Sequence, residues 1–172
     1  MKVILKLKSC PISTNSAYYA RNKKFNDKSR EWRFNFFSEL QSDYNQNQMN
    51  KIRSYFDPKK HMIRVTFTWF QPIEKILTAS GELSLRSMDV DNCLKIPTDC
   101  VFDKKYNDKW LSITKSRTRS TEAKLYHDMT SLVNLNINDK FIYSTTSIKC
   151  PSVDGDYHCS IEIEVVSLFT NP

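Results

Sequence analysis

The stretch Met88-Asp89-Val90-Asp91-Asn92-Cys93-Leu94-Lys95, with Asp99 four residues further on, holds the side chains of this sequence best placed to do chemistry. If Asp89-Val90-Asp91 is extended, both carboxylates project to the same side. Two carboxylates that close repel each other, and a cation between them removes the cost. A divalent metal held by oxygen ligands is the usual solution. A helix starting near Asp91 or Asn92, both good N-caps, puts Lys95 about one turn beyond Asp91, within reach of a phosphate bound to the same metal. The same residues also fit a plainer description, a capped helix carrying an Asp91–Lys95 surface pair.

The elements that must position this stretch are legible from periodicity. Lys2 to Lys8 alternates, with Val3, Leu5 and Leu7 on one face, and reads as a half-buried strand that Cys10-Pro11 ends. A loop of small polar, aromatic and basic residues follows, Pro11 to Lys24. Its residue types suit phosphate and sugar contacts, and equally a solvated loop with one tyrosine packed inward. Residues 28–44 predict a helix whose apolar face is Trp32, Phe36, Phe37, Leu40 and Tyr44; the polar stretch 45–60 reads as helix end and connection. Ile63, Val65, Phe67 and Trp69 alternate with Arg64, Thr66 and Thr68 in a second strand over 61–70.

Residues 71–87, with Pro72 and Gly81, look like an excursion. Pro97 either kinks the helix after the acidic stretch or marks its first turn. Leu125, Met129 and Leu132/Val133 suggest a short helix inside a basic segment. Phe141 to Lys149 is a strand, Asp154-Gly155 sits in a turn, and Ile161, Ile163 and Val165 mark the last strand. The order β-α-β-α-(insert)-β-β predicts a single α/β domain over 1–172 ending in an antiparallel hairpin, with insertions at 71–87 and 104–136.

Composition narrows the function classes. A chain of 172 residues with 40% hydrophobic and 12% aromatic residues is enough for one folded domain. Its only glycines are Gly81 and Gly155, so Gly-rich phosphate loops are excluded. No apolar run approaches a membrane span, and the N-terminus lacks a signal-peptide core, which leads us to expect a cytoplasmic protein. Five scattered cysteines fit reduced thiols. Cys150, His158 and Cys159 lack zinc-ligand spacing, since adjacent His158 and Cys159 would face opposite sides of a strand. Net charge is +7 and unevenly spread: residues 1–30 carry eight Lys/Arg against Asp27, and residues 104–124 carry seven against Asp108 and Glu122. Two basic segments beside an acidic cluster suit a polyanion held against a metal site.

Three separated segments, in order, resemble the RusA-type Holliday-junction resolvases, small dimeric metal-dependent endonucleases of phages and prophages. Pro11-x-Ser13-x-Asn15-x-x-Tyr18-Tyr19-x-Arg21 resembles the family's N-terminal segment. Asp89-Val90-Asp91-Asn92-x-x-Lys95-x-x-x-Asp99 resembles its central motif, the most specific of the three. Asn138-Asp139, before a strand ending near Lys149, resembles its last acidic segment. Departures are Cys93 in place of a common leucine, Pro97 in the helix, Asn138 in place of a common acid, and the two insertions.

The resemblance implies a mixed β-sheet packed by helices, with Asp89, Asp91 and Asp139 binding Mg²⁺ or Mn²⁺. Lys95 would neutralise the transition state or position water, and Asp99 would orient Lys95. Asp108 is a rival third carboxylate; the strand and turn that follow Asp139 favour Asp139. Asn15, Tyr18, Arg21, Lys23, Lys24, Lys115, Arg117 and Arg119 are the expected DNA contacts. The implied activity is hydrolysis of four-way junctions by a homodimer, with no membrane partner. The alternatives are a less selective flap or fork nuclease and a DNA-binding protein without catalysis.

Overall fold

A computed structural model describes residues 1–13, 27–84, 89, 91–102 and 135–168, with Asp91 described by its backbone. Four strands form one mixed sheet: β1 (Lys2–Leu7), β2 (His61–Gln71), β3 (Ile142–Pro151) and β4 (His158–Ser167). Their order across the sheet is β1-β4-β2-β3. β4 runs antiparallel to both β1 and β2, whereas β2 and β3 are parallel.

Period-two alternation builds a two-layer molecule. Val3, Leu5 and Leu7 of β1, Ile63, Val65, Phe67 and Trp69 of β2, and Ile161, Ile163 and Val165 of β4 all enter one buried cluster. The other face carries the ion pairs Lys2–Glu162 and Arg64–Glu164. β3 breaks the pattern. Thr145, Ser147 and Lys149 pair with Val65, Phe67 and Trp69 and therefore share the core-facing side, yet they are polar. Thr145 is exposed, and Ser147 and Lys149 are half-buried.

Helices α1 (Asp27–Leu40) and α2 (Asp43–Tyr55) pack beside β1. In α1 the expected apolar face is buried at Trp32, Phe36, Phe37 and Leu40, with Trp32 stacked on Phe36 at 4.7 Å. The helix stops there, which corrects two expectations. Tyr44 is exposed and lies under the Lys6 ammonium rather than in the core. Residues 43–55 are a second helix, not a connection.

Ser42 caps α2 by accepting from the Asn45 N–H, and Asn45, Met49 and Ile52 form its buried stripe at i, i+4 and i+7. The buried Asn45 amide holds the outer edge of β1. It accepts from Lys6 N–H at 2.9 Å and donates to the Lys6 and Glu39 carbonyls at 2.8 and 3.0 Å. A stripe of three residues, one of them an asparagine, explains why so polar a segment did not read as a helix.

The predicted terminal hairpin is also corrected. β3 and β4 are consecutive but not neighbours, because β2 lies between them. The connection crosses the end of β2, where Ser152 N–H donates to the Gln71 carbonyl at 2.8 Å. The expected turn at Asp154-Gly155 is present. Gly155 has φ +80°, Asp154 accepts from the Asp156 N–H, and His158 pairs with Asp154 at 2.7 Å. Of the excursion at 71–87, the described part holds the short α3 (Ile73–Ile76) and a Leu77–Leu83 bridge. Of the 104–136 insertion only Leu135 and Asn136 lie within the described residues; the short helix expected at Leu125–Val133, and Asp108, lie outside them.

Candidate functional site

The acidic stretch forms a surface turn anchored from below. Asp89 is exposed, and Asp91–Cys93 make one turn of 3₁₀ helix. Cys93 is fully buried in the core cluster and its thiol donates to the Asp89 carbonyl at 3.4 Å. The Asn92 amide donates to Asp89 Oδ2 at 2.9 Å, so the turn folds back on its own first carboxylate. Burial, with the Asp89 charge adding to it, pushes the Cys93 thiol up to about 12. At neutral pH it is therefore a protonated anchor, not a thiolate ligand or nucleophile.

Helix α4 runs from Lys95 to Phe102, later than a cap at Asp91 or Asn92 would place it. Its first bond is Thr98 N–H to the Leu94 carbonyl at 3.1 Å, so Leu94 occupies the capping position. Pro97 sets this register. Having no N–H, it fits only the first turn, where such groups have no partner inside the helix. Lys95 is consequently the first helical residue, not one turn into a helix. Its ammonium lies 3.5 Å from Asp99 Oδ2, the lysine side chain largely exposed and the aspartate side chain only 10% exposed. A nearly buried carboxylate thus tethers an exposed ammonium beside the acidic turn. Behind it, Cys100 lies within electrostatic range of the buried Arg33 of α1.

Asp139 is placed elsewhere. It opens a second 3₁₀ turn, Asp139–Phe141, capped by the Asn138 side chain accepting from the Lys140 N–H. This turn leads into β3 at the end where Ile142 pairs with Ile63. The β3 residue that interacts electrostatically with Cys93 is Lys149, seven residues further along the strand. At ~3.3 Å per residue, Ile142 and Lys149 are roughly 23 Å apart. Asp89, Asn92, Cys93, Lys95 and Asp99 lie together in the acidic turn and the helix start that follows it, and Asp139 lies in the separate turn that enters β3.

Asn15, Tyr18, Arg21, Lys23, Lys24, Lys115, Arg117 and Arg119, and the side chain of Asp91, lie outside the described residues. Among the described residues no group of three His, Cys, Asp or Glu side chains could hold a metal ion. His158 and Cys159 diverge, the first paired with Asp154 and the second buried. The residue that sequence reasoning passed over is Lys149. Its signal was a cation at a core-facing position of a strand, where alternation calls for an apolar residue.

Comparison of the chain with protein-family models, and with curated proteins, finds no match. No helix among the described residues is long and apolar enough to cross a membrane.

Proposed function

We propose that this chain is a RusA-type, metal-dependent endonuclease that cleaves branched DNA as a homodimer. The observation that carries the proposal is the acidic turn itself: exposed Asp89 stands at its head, and the same turn runs directly into Lys95, an ammonium tethered by buried Asp99. A surface carboxylate with a second one two residues on offers only hard oxygen donors, which suit Mg²⁺ or Mn²⁺. Asp89 and Asp91 would hold such an ion, which when bound polarises a phosphoryl oxygen and makes water nucleophilic at neutral pH. Lys95 supplies a compact positive charge for the phosphate, and Asp99 limits the positions that charge can take. Asp139, in the turn that opens β3, is the third ligand that the resemblance implies. The basic segments around Arg21 and Arg117 supply the proposed backbone contacts, on the strength of their charge.

Nicking of synthetic four-way junctions, flaps and linear duplexes, with and without Mg²⁺, tests this. Mg²⁺-dependent cleavage of the junction above the others is the expected result. Equal cleavage of flaps would make it a less selective nuclease. Binding without nicking would make it a DNA-binding protein, and failure to bind would end the proposal.

A further inference from the structure

Where β1 stops and β4 starts, the sheet carries an open cleft of about 770 Å³, within the size range of ligand sites. Lys6 pairs with Ser160 and Phe70 with His158, and these four line it from the side opposite the core-facing Leu7, Cys159 and Trp69. The connection from β3 to β4 forms one wall. There Val153 is fully exposed, and Asp154 is held by His158 at 2.7 Å. The Ser152 hydroxyl, also in the lining, is buried and has no hydrogen-bond partner among the described residues. Such a group is costly, and a ligand that supplies a partner removes the cost. The rim is cationic. Burial alternates from Lys6 through Ser9, so Lys6 and Lys8 are exposed on one side of the chain, roughly 7 Å apart. The Lys6 ammonium rests over Tyr44 at 5.6 Å, an exposed contact that it can leave at small cost. Of the two carboxylates close by, Asp154 is engaged by His158 and Glu39 accepts from the Lys8 N–H.

An apolar lining with one aromatic ring, edged by two ammonium groups, fits a planar ring joined to a phosphate. Lys6, Lys8, Val153 and Asp154 are all exposed, so the cleft covers one unit of a passing chain and does not enclose a free small molecule. A peptide suits it less. The cleft lies on a face of the sheet, where peptide N–H and C=O groups would find no strand edge to pair with. A base presents a π-face that needs none. We propose that this cleft seats one unpaired nucleotide of a DNA strand, its base against Phe70 and Val153 and a flanking phosphate between Lys6 and Lys8. This rests on the DNA-binding part of the nuclease proposal, not on its chemistry, and adds an unpaired nucleotide, as exposed at a branch, to the substrate.

The test titrates the full chain, without added metal, against a labelled single-stranded oligothymidine, the same strand with abasic sites, and a duplex of equal length. Val153→Asp alters a fully exposed side chain, so the fold should survive it. It should weaken binding of the base-bearing strand about tenfold, the scale of losing one base contact. Binding should fall to the level of the abasic strand, with the duplex unaffected. The double variant Lys6→Gln/Lys8→Gln should weaken both single strands alike and lower the salt slope by about 0.7, one phosphate contact. If Val153→Asp weakens the abasic strand equally, the effect is charge repulsion and the base seat is overturned. Displacement of the strand by an acidic peptide, or by thymidine monophosphate as effectively as by unlabelled strand, would also overturn it. Single-strand binding that neither variant alters would end this inference and leave the nuclease proposal standing. Binding with the expected variant effects but no Mg²⁺-dependent nicking would end the nuclease proposal alone. A wild-type protein that does not bind DNA would end both.

Discussion

Among the described residues, two 3₁₀ turns are each led by an aspartate beside an asparagine, Asp91-Asn92-Cys93 and Asn138-Asp139-Lys140-Phe141. In the first, the residue after the polar pair is Cys93, which is buried completely and pins the turn to the core. In the second no residue is buried; Asn138 caps the turn, Lys140 lies over the Phe141 ring at 5.0 Å, and Phe141 meets Phe56 edge-on. The first turn leads into a helix that begins with Lys95, whose ammonium is paired with Asp99. The second leads into a strand. Similar residue types therefore make a candidate site in one place and a strand entry in the other, the difference lying in the anchor beneath and the cations around.

The largest expected effect breaks that contrast at its acidic end. Asp89→Asn or Asp91→Asn should lower Mg²⁺-dependent nicking at least about a hundredfold, the scale of removing one group that stabilises a transition state. Junction binding should stay the same or tighten, because repulsion toward phosphate is removed. Lost binding in a folded variant would contradict this division of roles.

A smaller effect reports on the anchor. Cys93 is held up to about 12 and Cys100 to about 11, both mainly by burial. In the unfolded chain these thiols ionise above about pH 9. The unfolded state therefore loses protons that the folded state keeps, and stability should fall as pH rises from 9 toward 11. Denaturant melts at pH 8 and pH 10.5 would show it. At pH 8, iodoacetamide should modify exposed Cys10 in the native protein and reach Cys93 only on unfolding.

At the second turn, Asp139→Asn should likewise abolish Mg²⁺-dependent nicking, as loss of the third ligand the resemblance implies, and retained nicking would remove Asp139 from the site. The smallest effect is expected of Asn138→Ala, which removes the cap of that turn and should cost about 1 kcal/mol in a denaturation experiment.

Much of this was legible in the sequence where burial leaves a strict period. β1 and β2 carry alternating apolar residues and match their expected bounds to within one residue, β4 extends beyond its apolar core of Ile161, Ile163 and Val165 at both ends, and the aromatic stripe of α1 holds at Trp32, Phe36 and Phe37 but not at Tyr44. α2 was not, because its contribution is a hydrogen-bonding asparagine and two apolar side chains. Strand partners were not legible either. Short connections favour hairpins, and nothing local in Ser152–Tyr157 states that it crosses over β2 rather than turning back along β3. At the candidate site the acidic spacing was evident, but helix register depended on weighing Pro97 against two attractive caps.

The placement of β4 also bears on how the protein is made. It is last in sequence among the strands yet central in the sheet, joining β1 through pairs such as Lys2–Glu164 and β2 through pairs such as Trp69–Cys159. Until residues 158–167 leave the ribosome, β1 and the eleven-residue β2 have no common partner. At ~5–20 residues per second, that leaves the apolar edge of β2 exposed for several seconds during synthesis. Contacts of such long sequence separation make folding slow, and an unpaired apolar strand edge is a template for association with other chains. Soluble yield in a cell should accordingly follow elongation rate and chaperone supply more closely than it follows the stability of the finished fold.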